Sequence, residues 1–353
     1  MYVNIVGGGC MNPDLWLTCG MNCDKHPKLS VIVITYNQSR TIGRALDSVL
    51  ELRNLCPDME IVLGDDASAD NTMEICRGYA SEYPDIIRLM PSQPNMGLVA
   101  NYFRCLKACR GEYVTDCAGD DCRLSGEGIA EQIRMLDADA SLVAVGSDWE
   151  IDSNGNGVSL SSSVPSYAQW RKRLTGREMQ LAVVGSKGAF PVLLSSVVYR
   201  RMAVNPDDSM VCNDLFGCED MPVMMALGAR GDFGFVEQPT YRYYASDASV
   251  SGGGDMRKTL DFYTKAFKCM TTLSKHYKVS PEDVREAFRL RASFTVGLAF
   301  DLGDKERAAR VRAVVDSWPE KAGIGARLKL WLMRYSLLWN FGRKLYKPKS
   351  NPA

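Results

Sequence analysis

The chain has 353 residues, 46% of them hydrophobic and 24% charged, with 42 basic side chains against 42 acidic ones. These proportions fit a globular chain long enough for one large domain with additions, or for two domains, and exclude low-complexity disorder. With no net charge, nothing global draws the chain to nucleic acid, and no nucleic-acid partner is expected.

Met1–Lys28 shows no periodicity, and Gly7-Gly8-Gly9 lacks the spacing of a dinucleotide loop. This stretch reads as a poorly ordered extension (residues 1–28). It has neither the basic start nor the apolar centre of a secretory signal. Leu29–Ile34 is then a nearly continuous apolar run, the mark of a strand covered on both faces. A helix follows, with Ile42, Ala45, Leu46, Val49 and Leu50 on one stripe and Ser39 as its expected N-cap. Glu60–Leu63 is the second strand, Asn71–Tyr83 a helix stopped by Pro84, and Ile86–Met90 the third strand. Leu98–Arg110 is a helix, Glu112–Thr115 a fourth strand, Gly126–Leu136 a helix and Leu142–Val145 a strand. Such alternation with short connections predicts an α/β fold whose mostly parallel sheet is flanked by helices. Ser153–Gly157 is a turn, Gly188–Tyr199 a buried segment, and Glu219–Leu227 a helix. Phe233–Val236 and Tyr241–Tyr244 are strands. Helices are predicted over Met256–Tyr277, Pro281–Leu302, Asp304–Ser317 and Ala326–Tyr346.

The composition narrows the chemistry. The two histidines, His26 and His276, lie in separate polar stretches, so a histidine triad or a histidine-rich metal site is not expected and any general base is a carboxylate. Twelve cysteines include no Cys-x-x-Cys; the closest pairs are Cys19/Cys23, Cys105/Cys109 and Cys117/Cys122. Reduced core cysteines are the expected reading. No apolar stretch reaches the ~20 residues of a membrane-spanning helix.

Several predicted strands end in polar residues at one edge of the sheet. Strand one ends in Thr35-Tyr36-Asn37 and strand two in Asp65-Asp66. Asn95, Gly97 and Asn101 follow strand three, and Asp120-Asp121 follow strand four. Ligands of open α/β sheets bind at that edge. Adjacent carboxylates repel unless a cation shares them, and oxygen-only ligands suit Mg²⁺ or Mn²⁺ accompanying a phosphorylated substrate. A polar turn after a strand gives the same local pattern.

The run Val31–Asn37, then Asp65–Asp70, Asn95-Met96-Gly97 and Gly111–Asp121, resembles a family 2 glycosyltransferase with a GT-A fold over roughly residues 29–252. The resemblance implies inverting transfer of a sugar from a nucleotide-sugar to an acceptor hydroxyl with a divalent ion. It implies a nucleotide-sugar half over 29–150, an acceptor half over 151–255, and a helical region over 256–353. Thr35, Tyr36 and Asn37 match the loop that packs on the nucleotide, and Asp66 matches the acceptor of a uracil-type N3–H. Asn95, Gly97 and Asn101 match the segment flanking base and ribose. Asp120 matches a ribose or sugar contact, and Asp121 the metal ligand. Asp220, at a helix start in Cys218–Pro222, matches the general base, with Glu219 beside it; the same carboxylate at a helix N-terminus is also explained by the macrodipole. Arg242 is the expected cation of the Tyr241–Ser251 segment, where Tyr244 replaces the usual histidine. Ala118 replaces an aspartate that many relatives carry, so the carboxylate set is smaller, and Asp116 could compensate only if the strand end bends.

The tail mixes Leu328, Trp331, Tyr335, Leu337, Leu338, Trp339 and Phe341 with Arg327, Lys329, Arg334, Arg343, Lys344, Lys347 and Lys349, with no acid after Glu320. Such a basic amphipathic stretch (324–349) suits an anionic membrane surface, or a helix docked on the domain with a solvated basic face. The implied protein is a cytoplasmic enzyme, peripheral at the inner face of the cell membrane, acting on a glycan or lipid-linked acceptor in surface-polysaccharide or lipopolysaccharide synthesis. The chain lacks the Gln-x-x-Arg-Trp motif and spans of processive synthases, which points to single-sugar addition. Two other readings stay open: a nucleotidyltransferase, and a sugar-nucleotide-binding module without turnover.

Overall fold

A computed structural model describes residues 26–345, apart from 125, 154–156, 164–170, 187–192, 214–215 and 246–254. Most of the N-terminal extension, the tip of the Ser153–Gly157 turn, part of Gly188–Tyr199, the Ser246–Ser251 segment and the tail beyond residue 345 lie outside the described residues.

Strand β1 (Leu29–Thr35) lies between β2 (Met59–Asp65) and β4 (Tyr113–Ala118), and β3 (Ile87–Pro91) pairs with β2, all parallel. Alternation along these strands explains the apolar runs. Val31, Val33, Ile61 and Leu63 enter one core, while Ile32 and Val62 enter the other. Helices α1 (Ile42–Leu50), α2 (Thr72–Glu82) and α4 (Gly126–Ala138) flank the sheet, as does α3 (Leu98–Ala108). Ile42, Ala45, Leu46 and Val49 of α1 join the first core, and Val99, Tyr102 and Phe103 of α3 join the second.

The sheet continues as β4–β8–β6–β9–β5, with β7 (Val158–Leu160) on β6. Here β8 (Val198–Arg200) runs antiparallel to β4 and to β6 (Leu142–Asp152); β9 (Asp232–Tyr244) runs parallel to β6, and β5 (Cys122–Arg123) antiparallel to β9. The two strands expected over 233–236 and 241–244 are one strand. Pro239 cannot donate to the ladder, and the register shifts between Ser147 and Trp149 instead of the strand ending.

Sequence periodicity missed α5 (Gly176–Gly185), although Thr175 and Glu178 form a capping box at its start. Helix α6 (Asp220–Gly228) follows, then α7 (Met256–His276), α8 (Arg285–Leu302) and α9 (Lys305–Asp316). The single last helix expected from the sequence is two, α10 (Ile324–Leu332) and α11 (Ser336–Leu345). Phe267, Phe288, Trp318 and Trp339 of this C-terminal region share the second core with α3 and the sheet. Ser39 is not the N-cap of α1. Thr41 holds that position without a side-chain bond, and Ser39 gives its amide to Asp70, 3.1 Å away.

Candidate functional site at the strand ends

The first four strands deliver their carboxyl ends to one edge in register. Thr35 lies opposite Asp65, and Asp65 opposite Pro91. The ladder runs on past the strands: the Asp66 amide donates to the Thr35 carbonyl and the Gly119 amide to the Ile34 carbonyl, each at 3.0 Å. So the polar residues singled out from sequence after strands one to four, Asn101 excepted, stand at one edge.

Their individual surroundings differ. Tyr36 is half exposed. Asn37 has φ +53°, and its Oδ1 accepts from the Ala69 amide at 2.8 Å, tying the ends of β1 and β2 together. Thr35 is buried and donates its hydroxyl to Gln38. Asp66 is buried; Oδ1 accepts from the Met96 amide at 2.8 Å and the Ser92 hydroxyl at 3.0 Å, and Oδ2 from the Gly97 amide at 2.8 Å. Asn95 donates to the Asp66 carbonyl at 2.9 Å. Gly97, with φ +88°, is where the loop turns into α3. Asn101 faces inward rather than to the crevice: its amide donates to the Gly64 carbonyl at 2.9 Å and its oxygen accepts from Arg104 at 2.6 Å.

Asp121 is buried, with Oδ2 accepting from the Tyr241 hydroxyl at 2.7 Å and Oδ1 from the Tyr244 amide at 2.8 Å. Burial, and then the charge of Asp120, push its carboxyl up to about 7, against the pull of those donors and of Arg44. The Asp120 carboxylate has no hydrogen bond or ion pair with the described residues, while its backbone carbonyl accepts from Arg44. The Asp120–Asp121 pair therefore fits a divalent ion: the Asp120 carboxylate has no partner among the described residues, and a cation would offset the burial and the like charge that raise the Asp121 carboxyl. Among the described residues no group of three His, Cys, Asp or Glu side chains converges on a metal site. Asp116 does not supply the missing carboxylate. It is buried on β4, receives the Ser195 hydroxyl, and lies 3.5 Å from the Tyr102 hydroxyl.

Arg242 is held elsewhere. Its Nε and Nη2 both lie 2.6 Å from Glu150, the residue opposite it on β6. The guanidinium nearest the paired aspartates is that of Arg44, on the first turn of α1, 3.7 Å over the ring of Tyr244. Sequence reasoning had no signal for it beyond a basic residue on the exposed face of an amphipathic helix.

Glu219 and Asp220 stand at the start of α6 as expected, with Glu219 as N-cap. Both keep a little surface, but protein surrounds them on the other sides. Burial pushes both carboxyls up; for Glu219 the charges of Asp220 and Asp116 add to it, and for Asp220 that of Asp116. Oε2 of Glu219 is buried without a partner among the described residues.

Residues 30–197 match Glycosyl transferase family 2. The chain carries a family 2 glycosyltransferase domain. An uncharacterized protein of Mycobacterium tuberculosis (strain ATCC 25618 / H37Rv) is 38% identical over 109 residues, 31% of each chain. EpsE of Bacillus subtilis (strain 168), a protein named as a glycosyltransferase, is 33% identical over 141 residues, 39% of this chain and 50% of its own. The chain thus spans about a third to a half of the length of these relatives. The chain shares its fold with S. aureus TarS 1–349 solved with UDP: TM-score 0.62, 17% identity, 92% of this chain and 94% of that one. The mannosyltransferase PcManGT of Pyrobaculum calidifontis, solved with GDP-Man and Mn2+, gives 0.50 and 16%, over 94% and 92%.

Proposed function

We propose that this chain transfers one sugar from a nucleotide-sugar, a UDP-sugar, to an acceptor hydroxyl with inversion, in the synthesis of a surface glycan. The observation that carries this reading is the alignment of Thr35–Asn37, Asp66, Asn95–Gly97 and Asp120–Asp121 along one sheet edge in a family 2 domain. TarS, solved with UDP-GlcNAc and with UDP, supports the choice of nucleotide. Tyr36, Asn37, Asn95 and Gly97 flank base and ribose. A carboxylate has about four lone-pair sites; three of those on Asp66 are taken, and the fourth, on Oδ2, accepts the base N3–H. Asp120 and Asp121 would hold a Mg²⁺ or Mn²⁺ ion, which supplies charge neutralisation for the diphosphate.

Asp220 takes the acceptor proton. Asp220 is the first residue of α6 with Glu219 as its N-cap, and burial raises both carboxyls. A raised pKa brings a base nearer working pH. Activity should therefore fall as pH drops through a value above the ordinary aspartate range.

The tail docks on an anionic membrane, near a lipid-linked acceptor. Leu337, Phe341 and Leu345 repeat every fourth residue along one side of α11 and are 86%, 62% and 69% exposed, with Lys344 exposed beside them. Trp339 points the other way and donates to the Phe300 carbonyl at 2.9 Å. No helix among the described residues is long and apolar enough to cross a membrane. Stable packing of one side with apolar side chains left on the other fits a surface-lying helix.

The test is release of UDP from a panel of UDP-sugars with Mn²⁺ and glycan or lipid-linked acceptors. Asp220→Asn should cut turnover by ~10²–10⁴ and leave donor affinity nearly unchanged. Wild-type turnover in Asp220→Asn, with Glu219→Gln inactive, would move the base to Glu219. No nucleotide bound by the wild type would end the reading.

A further inference from the structure

Arg44 is exposed on α1, yet two contacts fix its position. Its guanidinium stacks 3.7 Å over Tyr244, and its Nη2 donates to the carbonyl of Asp120. It makes no ion pair with a described residue, whereas Arg242, the cation one strand position away from Tyr243, is closed by Glu150. Tyr244 itself is anchored at its backbone, where its amide binds Asp121. One cation with most of its N–H donors uncommitted therefore stands against the backbone of the paired aspartates.

We infer that Arg44, with Tyr244 as its stacking platform, binds the diphosphate of the nucleotide donor. This rests on the reading of the crevice as a nucleotide-sugar site. The chemistry matches the side chain. In the transfer, the bond from the anomeric carbon to the diphosphate oxygen breaks and its electron pair stays on the diphosphate. The acceptor oxygen forms the new bond and gives its proton to Asp220. Negative charge thus grows on the diphosphate, and a planar, always-charged fork can meet two phosphate oxygens at once. A tyrosine carries no charge at neutral pH, but its ring face attracts a cation. The departure at position 244 then leaves the site with a cation supplied from α1.

Calorimetry on the full chain with uridine, UMP and UDP (or the guanosine series, if that base binds better), with Mn²⁺ and separately with EDTA, tests this. Arg44→Gln should weaken UDP about tenfold to a hundredfold, the usual size of a hydrogen bond to a charged group, and leave the nucleoside unchanged. Arg44→Lys should recover part of the loss, since it restores charge without the fork. Tyr244→Leu should lose part of it. Melting of Arg44→Gln should match wild type because the side chain is exposed. Equal UDP affinity in wild type and Arg44→Gln overturns the inference and leaves the crevice reading standing. An equal loss for nucleoside and diphosphate also overturns it, because Arg44 would then shape the site rather than hold the diphosphate. A wild type that binds no nucleotide removes the crevice reading and the inference together.

Discussion

Asp66 is the residue at which loop anchoring and base recognition can be separated. Its two oxygens accept from the Met96 and Gly97 amides and the Ser92 hydroxyl, so Asp66→Ala strips the 92–97 loop of its anchor. Hydrogen bonds to a charged group contribute about 1.5–3 kcal/mol each. The three are not independent, and Met96 is exposed, so water replaces part of what is lost. About 2 kcal/mol is then the expected net cost. For a chain of 353 residues that lowers the melting temperature by roughly 3 °C. Asp66→Asn keeps the size and one acceptor but turns an amino group toward a donor, and should lose about half as much. Thermal melting reads this part. The base is read by calorimetry of wild type with UDP, CDP and GDP. The N3–H of uracil suits a carboxylate, while cytosine presents an acceptor there and is repelled. Unchanged melting of Asp66→Ala would refute the anchoring. Equal affinities for the three nucleotides would refute base reading by Asp66, whatever the melting shows.

Asp121→Asn keeps the size and an acceptor for one of Tyr241 and Tyr244 but loses the charge, so it should abolish the gain in UDP affinity on adding Mn²⁺; full affinity and turnover of wild type in EDTA would refute the metal assignment. Leu337→Glu with Phe341→Glu should release the protein from anionic vesicles and spare UDP binding, and wild-type attachment should weaken with salt at ~1 kcal/mol per basic residue; unchanged sedimentation would refute docking through α11. At the opposite end of the sheet, burial raises the pKa of Glu60, but the Arg110 amide, the Ser30 hydroxyl and the guanidiniums of Arg110 and Arg88 outweigh it and hold the carboxyl below its ordinary 4.5. A lowered folded-state pKa adds stability that is complete above the unfolded value and lost as pH falls through the folded one. Glu60→Gln should therefore cost stability at pH 7 and flatten the loss below about 4.5; an unchanged acid limb in urea melts would contradict this.

The sequence was informative where one residue's meaning depends on its own strand. Apolar runs that end in Thr35-Tyr36-Asn37, Asp65-Asp66 and Asp120-Asp121 state both that a strand is buried and which end is polar, and parallel pairing does the rest. What stayed hidden depends on partners far along the chain. Arg242 reads as a free cation until the register of β9 on β6 sets it opposite Glu150. Arg44 reads as helix surface until β9 brings Tyr244 beneath it. Asn101 follows the loop in sequence, but Val99, Tyr102 and Phe103 bury in the second core and carry it inward with them to Gly64 and Arg104. Strand β8 has three residues, too few to show alternation, and is defined by its antiparallel pairing with β4 on one side and β6 on the other. The charge assignments at the site thus turn on sheet register. A one-residue slip of β9 would move Arg242 off Glu150 and Tyr244 off Arg44 together, because both contacts are set by the same ladder.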